Sequence, residues 1–128
     1  MTGPQILVVE DNDRSMKLFR DVLQASGYRT LEATTGKRAV ELALEQEPDL
    51  VLMDIQLPDI DGVDVLGTLR ASEQAGSVPV LAVTAQAMEG DRERFLAAGF
   101  DDYLSKPVNI ADLVATVRRY CGHRSPGT

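Results

Sequence analysis

Short, almost uninterrupted apolar runs alternate along this chain with segments whose apolar residues recur at helical spacing, and few folds satisfy that pattern. QILVV (5–9) leads into NDRSMKLFRDVLQASG, where Ser15, Leu18, Phe19, Val22 and Ala25 share one helical face before Gly27 ends it. YRTLEA (28–33) is a β-rich segment with polar interruptions, which suits a strand near a sheet edge. TTGKRAVELALEQEP carries Ala39, Val40, Ala43 and Leu44 at helical spacing and is closed by Pro48. DLVLM then ends at Asp54, and a helix from about Gly62 presents Val63, Val65, Leu66 and Leu69. SVPVLAVTA (77–85) is the fourth strand candidate, GDRERFLAAG lies in the next helix and stops at Gly99, and DDYLSKP (101–107) supplies a fifth strand. Asn109 offers an N-cap to IADLVATVRRYC, with Ile110, Leu113, Val114 and Val117 on its apolar face. Strand–helix alternation with apolar strands predicts a parallel sheet covered on both faces, an α/β fold.

The length, 128 residues, suits one domain with a proper core. Residues 1–122 are predicted to form it, with 123–128 as a disordered tail. His123 falls in that Gly/Pro-containing tail and is expected to be inert. Cys121 alone excludes an intramolecular disulfide and suits a reducing cytoplasm; its expected role is packing. The N-terminus lacks the pattern of a secretory signal, and no apolar stretch approaches the length that crosses a bilayer. With 13 Lys+Arg against 20 Asp+Glu the net charge is −7, which argues against nucleic-acid or membrane partners and permits a cation site.

The acids converge on one rim. Glu10 and Asp11 follow strand one, Asp54 ends strand three, Thr84 ends strand four and Lys106 follows strand five. All five are at carboxyl ends of strands, where open α/β sheets bind ligands, at the point where strand order reverses. An order of 2-1-3-4-5 would set Asp11 and Asp54 across that crevice. An aspartate closing an apolar strand has a simple explanation as a turn former. Three acids together need more, because their mutual repulsion must be offset; Mg²⁺, which takes one or two carboxylates and keeps several waters, would do so.

VVEDN, LMDIQLPDIDG, VTA and YLSKP, in this order and spacing, resemble the receiver domain of bacterial two-component response regulators, from about Gln5 to Cys121. The stretch AMEGDRE to AAGFDDYLSKP is especially similar to single-domain cell-cycle regulators and to receivers of hybrid histidine kinases. The resemblance implies a flavodoxin-like doubly wound (βα)5 fold with a five-stranded parallel sheet in the order 2-1-3-4-5. It implies that Asp54 takes a phosphoryl group from a histidine kinase or a histidine phosphotransfer protein. Asp11, Asp54 and the backbone carbonyl of Gln56 would hold Mg²⁺, with Glu10 acting through a water. Lys106 and Thr84 would contact the phosphoryl oxygens, the Lys106–Pro107 bond would be cis, and Tyr103 would be the switch aromatic. Gln56 and Gln86 would flank the water that attacks during dephosphorylation.

From its own sequence Thr84 could equally be a plain strand residue, and Tyr103 a partly buried core aromatic. Met88 and Phe95 could form an exposed recognition patch, or could be core; Met16, near the expected kinase-docking face, carries the same choice. The residues after Cys121 are too few for a DNA-binding or catalytic domain, so output is expected through protein contacts of the fourth helix, fifth strand and fifth helix. Two other classes are weaker. A Mg²⁺-dependent phosphohydrolase would want an acid two residues after its nucleophile, where Gln56 stands, so an enzyme acting on a separate substrate is not expected. A flavodoxin-like cofactor binder would want a Gly/Ser/Thr-rich loop after strand one, where the acids Glu10, Asp11 and Asp13 would repel a phosphate unless a metal intervened.

Overall fold

The computed structural model describes residues 3–73, 75–85 and 91–121. Strands β1 (Gln5–Val9), β2 (Arg29–Ala33), β3 (Leu50–Asp54), β4 (Val80–Thr84) and β5 (Asp102–Ser105) alternate with helices α1 (Asp13–Ala25), α2 (Gly36–Gln46), α3 (Gly62–Arg70), α4 (Asp91–Ala98) and α5 (Ile110–Cys121). All pairings are parallel and the sheet order is β2-β1-β3-β4-β5, so the expected flavodoxin-like topology is the one observed. The polar segment 29–33 is indeed at an edge.

Alternate residues of each strand feed two separate cores. Leu7, Val9, Val51, Met53, Val80 and Ala82 face α2, α3 and α4 through Ala39, Leu42, Val65, Leu66, Leu69 and Phe95. Ile6, Val8, Leu50, Leu52, Leu81 and Val83 face α1 and α5 through Met16, Phe19, Leu23, Leu113 and Val117. Both faces of β3 and β4 are therefore dry, and each fully buried aliphatic side chain adds about 1.5–3 kcal/mol. The structure corrects some predicted helix faces. In α1 the core residues are Met16, Phe19 and Leu23, while Leu18 and Ala25 are exposed. In α2, Leu42 is buried and Leu44 exposed. Val63 and Ile110 also face outward, Ile110 with 53% of its surface exposed. A helical stripe assigned without Leu23 or Leu42 turns by about one residue, and that is enough to swap its edges.

Side chains start four of the helices at the carboxyl rim of the sheet. Asn12, Thr35 and Asp61 accept the amides of Ser15, Arg38 and Val63 at the starts of α1, α2 and α3. Asn109 does the same for Asp112 at 3.2 Å in α5. Met16 and Phe95, two of the possible recognition residues, are core side chains. Cys121 is fully buried, in keeping with a packing role. Gln86, Met88, His123 and the proposed tail 123–128 lie outside the described residues.

Candidate phosphoacceptor site

Strand register brings the charged residues together. Val9 lies opposite Met53, so Glu10 comes beside Asp54; Asp54 lies opposite Val83, so Thr84 follows one residue on. Thr84 in turn pairs with Ser105, and its carbonyl accepts the Lys106 amide at 2.8 Å. Glu10 is wholly buried, Asp54 is 5% exposed and Thr84 is buried, whereas Asp11 is exposed at the mouth. Carboxylate oxygens of Glu10, Asp11 and Asp54 lie within 4.8 Å of one another.

One lysine serves two of these acids. Lys106 Nζ is 2.7 Å from Glu10 Oε1 and 3.5 Å from Asp54 Oδ2. The Lys106–Pro107 peptide bond is cis. Burial opposes the Lys106 charge, but the bond to Glu10 and the fields of both carboxylates prevail and raise its pKa above the usual value. Asp54 Oδ1 accepts the Gln56 amide at 2.9 Å, and Glu10 Oε2 accepts the Asn12 amide at 3.1 Å. Burial, and then the hydrogen bond shared with Glu10, push the Asp54 carboxyl from 3.8 up to about 7, against the Gln56 amide and Lys106. Three carboxylates and one ammonium leave negative charge uncovered. Glu10 Oε1 is buried and receives no well-angled hydrogen bond despite its ion pair. A set of hard oxygen donors in that condition fits Mg²⁺.

The backbone at this point has little slack. A Cβ on Gly62 would stand 2.8 Å from the Asp54 carbonyl oxygen and 2.9 Å from Ile55 Cα, so the start of α3 presses directly on the end of β3. Gln56 is exposed on the loop between them. Tyr103, on β5, is half-buried against the α2–α3–α4 core, its ring 6.0 Å from that of Phe95.

The model of one family, the response regulator receiver domain, matches residues 6–118. The chain belongs to the response regulator receiver family. Among its relatives is the polar-differentiation response regulator DivK of Brucella ovis, 46% identical over 117 residues that cover 91% of this chain and 95% of DivK. The receiver domain of a sensor histidine kinase from Pseudomonas aeruginosa superposes with a TM-score of 0.86 at 41% identity, covering 94% of this chain and 98% of that one; it carries a magnesium ion in its active-site cleft. A response regulator from Chloroflexus aurantiacus gives a TM-score of 0.88 at 29% identity over 94% of this receiver and 98% of its own chain. In this receiver no described helix is long and apolar enough to cross a membrane.

One contact of the receiver's site region had no forecast from sequence. Asp59, on the loop after β3, reaches across to α2 and accepts the Gly36 amide at 2.7 Å and the Lys37 amide at 3.1 Å.

Proposed function

We propose that this receiver accepts a phosphoryl group on Asp54 from the phosphohistidine of a sensor kinase or phosphotransfer protein, in the cytoplasm, and signals through protein contacts. The observation that carries this reading is the buried Asp54 carboxylate, flanked by acidic oxygens within 4.8 Å and by Lys106 Nζ at 3.5 Å. An Asp54 oxygen attacks phosphorus as the phosphorus–nitrogen bond to the imidazole breaks, and the leaving imidazole takes a proton from solvent. Asp11, Asp54 and the Gln56 carbonyl would hold Mg²⁺, with Glu10 behind a water; bound there, the ion offsets charge on the transferring oxygens. Lys106, now leaning toward Glu10, is within reach of a phosphoryl oxygen on Asp54. Outside this transfer and the hydrolysis of the resulting acyl phosphate, in which water attacks phosphorus and inorganic phosphate leaves, the chain acts on no separate substrate.

Arg14, Leu18, Phe19, Lys106 and Pro107 line a groove of about 450 Å³ beside the site, on the side from which a donor histidine would approach. The test is transfer of label from autophosphorylated histidine kinases and phosphotransfer proteins. Rapid Mg²⁺-dependent labelling by at least one donor is expected; no labelling by any donor in its native partner set would contradict the reading.

Thr84 and Tyr103 would couple the phosphoryl group to the outer face. If the Thr84 hydroxyl moves to a phosphoryl oxygen, Tyr103 can turn further inward beside Phe95 and reshape the surface made by α4, β5 and α5. The phosphate then biases two states by its differential stabilisation of them. Tyr103→Ala should accept phosphate at a near-normal rate yet lose most of the affinity gain for a target protein that a beryllofluoride mimic induces. Thr84→Ala should lose that gain as well. Full retention by Tyr103→Ala would make Tyr103 a core aromatic and nothing more.

A further inference from the structure

The loop 55–61 is anchored at both ends. Its start is tied to the sheet, by Ile55 N to Val83 O at 3.1 Å and Gln56 N to Asp54 Oδ1 at 2.9 Å. Its far end is tied to α3, through the Asp61 cap and the bond from Gly62 N to Ile55 O at 3.0 Å. Between these anchors the chain from Leu57 to Ile60 leans on α2. Asp59 accepts the first two helical amides of α2, those of Gly36 and Lys37, which have no acceptor inside their own helix. Packing repeats the connection, because a Cβ on Gly36 would stand 2.9 Å from Val65 Cγ2 and 3.1 Å from Ile60 Cβ. The Gly36 amide is the main cause holding the Asp59 carboxyl below its usual range, so the cap is an ionised one.

We propose that Asp59 is a positioning residue for the metal site: by tying its loop to the N-terminus of α2, it fixes the path on which the Gln56 carbonyl is presented. This rests on the reading of Gln56 as a backbone ligand. Gln56 is exposed and three residues from Asp59; its amide is fixed on Asp54 Oδ1, and the path of the chain onward to Asp59 sets the peptide that carries its carbonyl. Mg²⁺ demands near-ideal octahedral geometry and tolerates a misdirected ligand poorly. Supports of this indirect kind commonly change metal affinity when removed.

The test is calorimetric titration of Mg²⁺ into the wild type, Asp59→Ala, Asp59→Asn, Thr35→Ala and Asp11→Asn, with the melting temperature of each. Asp59→Ala should weaken Mg²⁺ binding by about tenfold. Asp59→Asn, which keeps one acceptor oxygen but not the charge, should recover part of that loss. Thr35→Ala removes the other cap of α2, the one that accepts the Arg38 amide at 3.1 Å, and should lower the melting temperature while leaving the affinity as it was. Wild-type affinity in Asp59→Ala overturns the proposal. Equal losses in Asp59→Ala and Asp59→Asn overturn it too, since charge at a distance would then suffice. An equal loss in Thr35→Ala would assign the effect to helix stability and also overturn it. Asp11→Asn separates the two levels: it should abolish binding, and if it binds Mg²⁺ normally the metal-site reading falls together with the proposal.

Discussion

Asp54→Asn is expected to take up no phosphoryl group and, in the absence of Mg²⁺, to be more stable than the wild type above neutral pH. An amide is no nucleophile at phosphorus, so the loss of uptake should be complete. The stability effect follows from the raised carboxyl. Its value in the fold is about 7 against 3.8 ordinarily, so between those values the folded protein holds a proton that the unfolded chain has released. The stabilisation from that proton is complete below about pH 4 and is lost as pH rises through about 7. Above that, a charged Asp54 sits buried beside Glu10 at a cost whose ceiling is about 4 kcal/mol. The neutral amide avoids that cost but leaves Lys106 with one carboxylate fewer, which brings the net gain to about 1–3 kcal/mol at pH 8. At pH 5 the difference should be much smaller. Urea unfolding of both proteins with a chelator at pH 5 and pH 8 measures it. A pH-independent difference would mean that the Asp54 carboxyl is not raised.

Asp11→Asn should remove the Mg²⁺ response and slow phosphoryl uptake by orders of magnitude while leaving Asp54 in place. Asp11 is the exposed member of the acidic group, so the substitution disturbs no packing. Mg²⁺ at ten times its Kd should stabilise the wild type by about 1.4 kcal/mol, which for a domain of this size raises the melting temperature by about 4–6 °C. The variant should show no such rise. Thermal melts with and without Mg²⁺ decide this, and a rise equal to that of the wild type would place the ion elsewhere.

Much of the architecture was legible because the inner strands β1, β3 and β4 read as apolar runs and the chemistry-bearing residues fall at the carboxyl ends of strands. A parallel sheet puts those ends on one rim, so Glu10, Asp11, Asp54, Thr84 and Lys106 converge once strand order is known. Helix faces were less legible. Leu18 and Leu44 are as apolar as Leu23 and Leu42, and only the neighbouring helix and strand decide which of them is covered. Phe95 was ambiguous for the same reason and proves to be core, edge-on to Phe100 at 5.9 Å. The Asp59 contact joins residues 23 apart in sequence, and no periodicity reports it. A signal did exist: α2 begins on the same rim as the loop after β3, so a loop holding Asp59 and Asp61 faces free helix amides. At the opposite rim Arg70 went unremarked, although it donates to Val78 O at 2.6 Å, to Gly99 O at 3.1 Å and to Asp101 Oδ2 at 3.0 Å. One guanidinium thus ties the end of α3 to the approaches to β4 and β5, a role set by tertiary neighbours and not by any local pattern.

The most direct test of Asp54 as the acceptor is to locate the phosphoryl group on the wild-type chain. After incubation with acetyl phosphate and Mg²⁺, borohydride cleaves an acyl phosphate and leaves a reduced side chain that peptide mass spectrometry can place. One modification per chain is expected, at Asp54, dependent on Mg²⁺ and absent from Asp54→Asn. Modification at Asp11, Asp59 or Asp61, or undiminished modification of Asp54→Asn, would contradict it.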